Sequence, residues 1–340
     1  MTASNGLLLI NLGSPEAPTT PALRRYLGEF LSDPRVMDIP PLTRSLLLRL
    51  VILPRRPQKV APKYQSIWTE AGSPLVAYGQ EIQKKISQSL GVDWQVELAM
   101  RYGHPSLIET LERLKKSSLK RLVVLPLFPQ YASATSGSAI EAVMEQLGSW
   151  PTLPDLLIKR SFHDHPAFLD AFANRGRVLW QEGFDHLVFS FHGLPEHQIL
   201  KSDASGHCLQ SPECCAIPEA AGRGCYRAQC FATARELAHR LEVPMEQYSV
   251  VFQSRLGRAK WLEPSLNQEL ERLSGQGIKR LLVYSPSFVA DCLETLEEIA
   301  QEGAKQFKAL GGERLQLVPS LNDGADWAEA LVQILRELAP

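Results

Sequence analysis

The 340-residue sequence predicts an α/β protein of two similar, doubly wound domains facing one cleft. Three observations predict it. Short β-branched or leucine-rich runs alternate with longer amphipathic stretches, as strands separated by helices do. The length fits about two domains at a prior of roughly 150 residues each. The chain also repeats itself: residues 105–124 (PSLIETLERLKKSSLKRLVV) and 264–283 (PSLNQELERLSGQGIKRLLV) match at 11 of 20 positions without a gap, at an offset of 159. Upstream, Gly13-Ser14-Pro15-Glu16 pairs with Gly193-Leu194-Pro195-Glu196 at an offset of 180. Each half thus opens with a strand ending in Gly-x-Pro-Glu and later carries a helix feeding a Lys-Arg-led strand.

In chain order, strands are predicted at 7–12, 95–102, 121–127, 187–192, 249–253, 280–285 and 316–318, with helices between them, for example 106–115 and 293–307. Nothing linker-like separates the halves, and 151–166 is the best boundary. The domains expected are therefore 1–158 and 159–340, the second closing with a C-terminal helix. Residues 1–13 lack a basic leader, and the apolar run 7–10 is too short for a signal segment. The longest apolar run, 46–53, is broken by Arg49 and falls far below the ~18 residues of a membrane span. A cytoplasmic protein is expected, whose six cysteines favour metal binding or burial over disulfides. Thirty-six Lys plus Arg against thirty-seven Asp plus Glu give a net charge of -1, which excludes a broad basic surface for nucleic acid.

Chemistry in open α/β sheets gathers at the carboxyl ends of strands. There the strand 187–192 delivers His192 in Ser190-Phe191-His192-Gly193-Leu194-Pro195, where an imidazole accepts a proton near neutral pH or binds a transition metal. The matching strand of the second half runs into Asp291-Cys292-Leu293-Glu294-Thr295-Leu296-Glu297-Glu298. On an α-helix Glu294, Glu298 and Glu302 stand at i, i+4 and i+8, a slowly winding ladder that starts beside an apolar stripe of Leu293, Leu296 and Ala300. Such a run reads either as a solvated acidic face or as a relay handing on a hydrated divalent cation.

Five motifs carry a family resemblance: Leu9-Ile10-Asn11-Leu12-Gly13-Ser14-Pro15, Phe128-Pro129-Gln130-Tyr131, Ser190-Phe191-His192-Gly193-Leu194-Pro195, Phe252-Gln253-Ser254-Arg255-Leu256-Gly257 and Asp291-Cys292-Leu293-Glu294-Thr295-Leu296. In this order they resemble the bacterial ferrochelatases, which insert Fe(II) into protoporphyrin IX to form protoheme, the terminal step of heme biosynthesis. The resemblance implies two Rossmann-like domains, each with a parallel four-stranded sheet, around a porphyrin cleft. It makes His192 and Glu294 the catalytic pair and adds Glu298 and Glu302 to the iron path. Metallating a porphyrin removes two pyrrole protons and delivers a dehydrated cation, so a proton acceptor and a carboxylate path are the minimum equipment. Leu12, Arg101, Tyr102, Phe128 and Trp261 match family positions lining the porphyrin pocket. Residues 42–53, between Pro40, Pro41 and Pro54, match a hydrophobic lip (about 38–56). Its leucines, with Arg55 and Arg56, suit an apolar ring and its propionates, or peripheral contact with the inner membrane face. Coproporphyrin as substrate, a cobalt chelatase on a related fold, and a non-catalytic tetrapyrrole or metal carrier are the alternatives.

The cysteines depart from the common pattern. Cys208, Cys214, Cys215, Cys225 and Cys230 follow His192 with the spacing C-x5-CC-x9-C-x4-C, within and beside an apparent insertion at 206–224. Several family members carry a [2Fe-2S] cluster, and four of these five thiolates suit one; structural zinc is the alternative. The adjacency of Cys214 and Cys215 leaves one of them spare. Cys230, read as heading a helix at 231–240, and Cys292 need no metal to explain them.

Overall fold

Leu7, Leu8, Leu9 and Ile10 are completely buried in strand β1 (Asn5–Ser14), as an unbroken apolar run requires of a parallel strand covered on both faces. This computed structural model describes residues 3–211, 213–216, 224–255, 257 and 259–339. Beside β1 lie β2 (Trp94–Gly103), β3 (Arg121–Pro126) and β4 (Asp155–Ile158), in the all-parallel order β2-β1-β3-β4. The second sheet holds β5 (His186–His192), β6 (Tyr248–Gln253), β7 (Arg280–Tyr284) and β8 (Arg314–Leu317), in the order β6-β5-β7-β8, also all parallel. The orders are identical position for position, as duplication of one unit produces. Ser106 and Ser265, equivalent serines of the repeat, each cap the helix that follows, Leu107–Lys116 and Leu266–Gly275.

The chain divides into two compact units. The first comprises Met1–Phe128, Ala132–Ser161 and Asn322–Pro340; the second comprises Pro129–Tyr131 and Phe162–Leu321. In the first, Leu8, Ile10, Leu122 and Val124 pack against Leu107, Leu111 and Leu114 of one helix and Ala139, Val143 and Leu147 of another. In the second, Val188, Val251, Leu281 and Val283 pack against Leu266, Leu270, Ile299 and Phe307.

Three features differ from the sequence reading. Within the segment 151–166, where the units do divide at Ser161 and Phe162, lies a strand absent from the sequence reading, β4, whose four residues are too few to show a period. The C-terminal helix Ala325–Leu338, expected in the second domain, belongs to the first unit, where it packs against helix Pro74–Leu90 beside a Lys85 Nζ to Asp323 Oδ2 ion pair of 2.9 Å. Third, Glu294–Gly303 forms a π-helix, not an α-helix, before an α-helical turn at Ala304–Ala309. The wider i→i+5 winding changes which face is buried. Thr295, Ile299 and Gly303 form the inner row, while the expected stripe of Leu293, Leu296 and Ala300 is only half-buried.

Candidate active site

In the second unit three strand ends converge through one amide. Gln253, last in β6, accepts from Ser190 Oγ of β5 at 2.7 Å and donates through Nε2 to the Glu294 carbonyl at 2.9 Å, while Ser285, just past β7, donates to the Ser190 carbonyl at 3.0 Å. This ties the start of the π-helix to the end of β5, where His192 stands. The His192 Nδ1 lies 2.6 Å from the Gly193 carbonyl. A carbonyl only accepts, so Nδ1 carries the proton and Nε2 keeps its lone pair. Trp261 and Phe288 flank the imidazole with ring centroids at 6.5 and 6.3 Å. Gly193 permits the close exit, since a Cβ there would stand 2.9 Å from the Gln253 carbonyl and 3.2 Å from the Trp261 ring. Burial pushes the His192 pKa below the usual imidazole value, while the Glu294 carboxylate and the Gly193 carbonyl pull it back up.

The carboxylates grade from interior to solvent. Glu294 and Glu298 are half-buried and Glu302 is exposed, in a row beside the buried Thr295, Ile299 and Gly303. Burial, then the neighbouring Glu294, pushes Glu298 up to about 7 against hydrogen bonds from Ser254 and Gln253. Ser254, held at a φ of 60°, donates its hydroxyl to Glu298 Oε2. Gln253 and Ser254 had no role in the sequence reading, although both stand inside one of the five motifs; their signal was their place at the end of a strand and directly after it.

The first unit ends its sheet differently. Tyr102 is only 1% exposed, and its hydroxyl donates to Asp33 Oδ2 at 2.7 Å. The same oxygen accepts from Ser138 Oγ at 2.6 Å and Arg101 Nη2 at 2.9 Å, and Asp33 Oδ1 accepts from the Arg35 backbone N–H at 2.7 Å. Against the cost of burial, bonds from Ser138, Tyr102 and Arg35 hold the Asp33 carboxyl below its usual value. The polar atoms of Arg101 and Tyr102 thus face Asp33. Leu12 is half-buried at the end of β1, Phe128 is buried beyond β3, and Arg55 and Arg56 are exposed on helix Leu53–Ile67. The lip residues occupy helix Pro41–Leu47 and a π-turn Leu48–Ile52, with Leu42, Leu46 and Leu50 exposed by 74%, 51% and 66%. Among the described residues no helix is long and apolar enough to cross a membrane.

Four cysteines form a chain of sulfur contacts. Cys214 Sγ and Cys215 Sγ lie 3.7 Å apart, Arg227 donates to them at 3.6 and 3.1 Å, and Cys225 hydrogen-bonds with both Cys215 and Cys208. The bond from Cys215, backed by N–H groups of Ala228 and Arg227, brings the Cys225 thiol down to about 6, whereas burial and Cys225 push Cys208 up to about 12. Helix Tyr226–Arg240 begins five residues before the predicted 231, with Cys225 as its N-cap, so Cys230 sits inside the helix, wholly buried. Among the described residues, no group of three or more His, Cys, Asp or Glu is disposed to hold a metal ion. Leu256 and parts of the 206–224 segment (212 and 217–223) lie outside the described residues.

Comparison with known proteins places this arrangement. Among solved structures, SirB from Bacillus subtilis with Fe3+ superposes with a TM-score of 0.55 at 12% identity, covering 99% of this chain and 96% of that one, a likeness of fold alone. Ferrochelatase from Azotobacter vinelandii is 46% identical over 335 residues, covering 98% of each chain. Ferrochelatase from Ectopseudomonas mendocina is 45% identical over 340 residues, 99% of this chain and 98% of that protein. With the ferrochelatase family model matching residues 4–339 as well, the chain belongs to the ferrochelatase family.

Proposed function

We infer that this chain inserts Fe(II) into protoporphyrin IX to form protoheme, with His192 accepting pyrrole protons and Glu294, Glu298 and Glu302 carrying the metal inward. The observation that supports this most is the desolvated imidazole facing Glu294. A ring kept neutral near pH 7, with Nδ1 committed to Gly193, presents its Nε2 lone pair to a pyrrole N–H. The Glu294 carboxylate stabilises the imidazolium that forms. With its pKa near 7, Glu298 exchanges proton for cation at little cost, and Glu302 receives the hydrated ion from solvent. Trp261, whose ring centroid stands 6.5 Å from that of the imidazole, lines the porphyrin on this reading. The exposed leucines of the lip guide the apolar macrocycle and rest on the inner membrane face of a cytoplasmic enzyme.

On the same reading Cys208, Cys214, Cys215 and Cys225 hold a [2Fe-2S] cluster, a one-electron centre when bound. Its support is the donor set: four thiols linked in a line of contacts from Cys214 through Cys215 and Cys225 to Cys208, one already acidified, with an arginine against two of them. This reading takes both Cys214 and Cys215 into the set and leaves out Cys230, a wholly buried residue inside its helix.

Anaerobic incubation with protoporphyrin IX and ferrous iron tests the activity: a heme spectrum is expected, and turnover of coproporphyrin alone would overturn the substrate. The cluster predicts brown protein with roughly two iron and two sulfide per chain, bleached by dithionite; zinc without sulfide would replace it with a structural metal site.

A further inference from the structure

At His192 the backbone of β5 still pairs with β6, at Gln253, but has left its ladder with β7. In a parallel pair the N–H and C=O of one residue point toward the same neighbouring strand. Gly193 donates its N–H to the Gln253 carbonyl of β6 at 2.7 Å, so the N–H and C=O of His192 point the other way, toward β7. There β7 pairs with β5 only as far as Phe189 with Tyr284. Two hydroxyls take over. The His192 N–H donates to Ser287 Oγ at 3.4 Å, Tyr226 Oη donates to the His192 carbonyl at 2.7 Å, and the two hydroxyls lie 3.3 Å apart. With the one phenolic proton committed to the carbonyl, Ser287 donates to Tyr226 Oη. The result is a closed ring of hydrogen bonds around a single residue.

Tyr226 is the first residue of its helix, and the N-cap before it is Cys225, the thiol that meets Cys208 and Cys215. One peptide unit therefore joins the cysteine group to the clamp on His192. The next carbonyl along the chain, that of Gly193, fixes the imidazole through Nδ1. We propose that Tyr226 is a positioning residue for metal insertion, transmitting the state of the cysteine group to the orientation of the His192 ring. The inference rests on His192 as the proton acceptor. It needs no contact between Tyr226 and substrate. A helix start displaced by about 1 Å breaks the clamp, and misplacement on that scale costs on the order of 10²-fold in rate.

The test is Tyr226→Phe in the full chain, purified with its native metal content. Expected are a kcat lowered about tenfold or more with the porphyrin KM within about twofold, and a displaced His192 ring signal in 1H–13C NMR. Cys225→Ser should move the same signal, and the Cys225→Ser/Tyr226→Phe double variant should lose no more activity than the worse single variant, since both act through one link. An unmoved ring signal with unchanged kcat, or single losses that multiply, overturns the proposal. If Tyr226→Phe fails to fold, Ser287→Ala opens the same ring and carries the same expectations. His192→Ala separates the two ideas: if it still inserts iron, the proton-acceptor reading falls, while the ring signal continues to decide the coupling.

Discussion

The first sheet closes its central strand on Gly13 and Ser14 beside an ion pair of the buried Asp33 with the half-buried Arg101; the second ends its central strand at His192, near the half-buried Glu294. Strand order is the same in both, and each central strand carries a glycine near its end, Gly13 within β1 and Gly193 just past β5. Gly13, at a φ of 120°, would place a Cβ 1.8 Å from the Tyr102 carbonyl, much as Gly193 crowds Gln253. One end spends its polar groups on each other. The other sets an imidazole, with Nδ1 turned to the Gly193 carbonyl, near a row of glutamates. Two equal frames thus carry different strand ends: a network centred on Asp33 in one, and in the other the histidine and glutamates to which the proposed function assigns the chemistry.

The sharpest way to break this comparison is His192→Ala. Metal insertion should fall by ~10²-fold or more while porphyrin binding, read by fluorescence quenching, persists. Glu294→Gln should behave alike. A rate above about a tenth of wild type would remove the general base from the second strand end. On the other side, Asp33→Ala should leave Arg101 and the Tyr102 hydroxyl without their partner, costing roughly 3 kcal/mol in urea melts. The kcat of the folded fraction should stay within about threefold; a larger loss would show that the Asp33 network also takes part in the reaction.

Acidity distinguishes the two ends more gently. Asp33 is held below its ordinary 3.8, so the stability it contributes is present above that value and is lost as pH falls through its lowered folded value. Glu298 is raised from 4.5 to about 7, so the fold disfavours its charged form, and stability is lost as pH climbs from 4.5 through 7. Glu298→Gln should accordingly raise the Tm by a few degrees at pH 8 and leave it unchanged near pH 4, as calorimetry would read. A gain of equal size at both pH values would mean that charge at Glu298 is not what the interior resists. The smallest effect belongs to Glu302→Gln, which on the proposed function should raise the apparent KM for iron several-fold at constant kcat, because Glu302 is the exposed member of the row.

Short-range pattern carried much of this in the sequence. Apolar runs mark seven of the eight strands, the 159-residue repeat announces two like sheets, and a histidine at a strand end opposite a row of glutamates points to the site. Each of these is a local regularity, and burial of apolar surface enforces it wherever it occurs. Tertiary packing decided the rest, through bonds that no period records. Asp33 meets Tyr102 and Ser138 across 69 and 105 residues, and Gln253 reaches Glu294 across 41. The segment 294–303 is wound as a π-helix with Thr295, Glu297, Ile299 and Gly303 buried, a set different from the stripe of Leu293, Leu296 and Ala300 that an α-helical count selects. The cysteine spacing named five candidates, and only the start of the helix at Tyr226 separated Cys225 from Cys230, because a helix end is set by which backbone groups find partners in the fold.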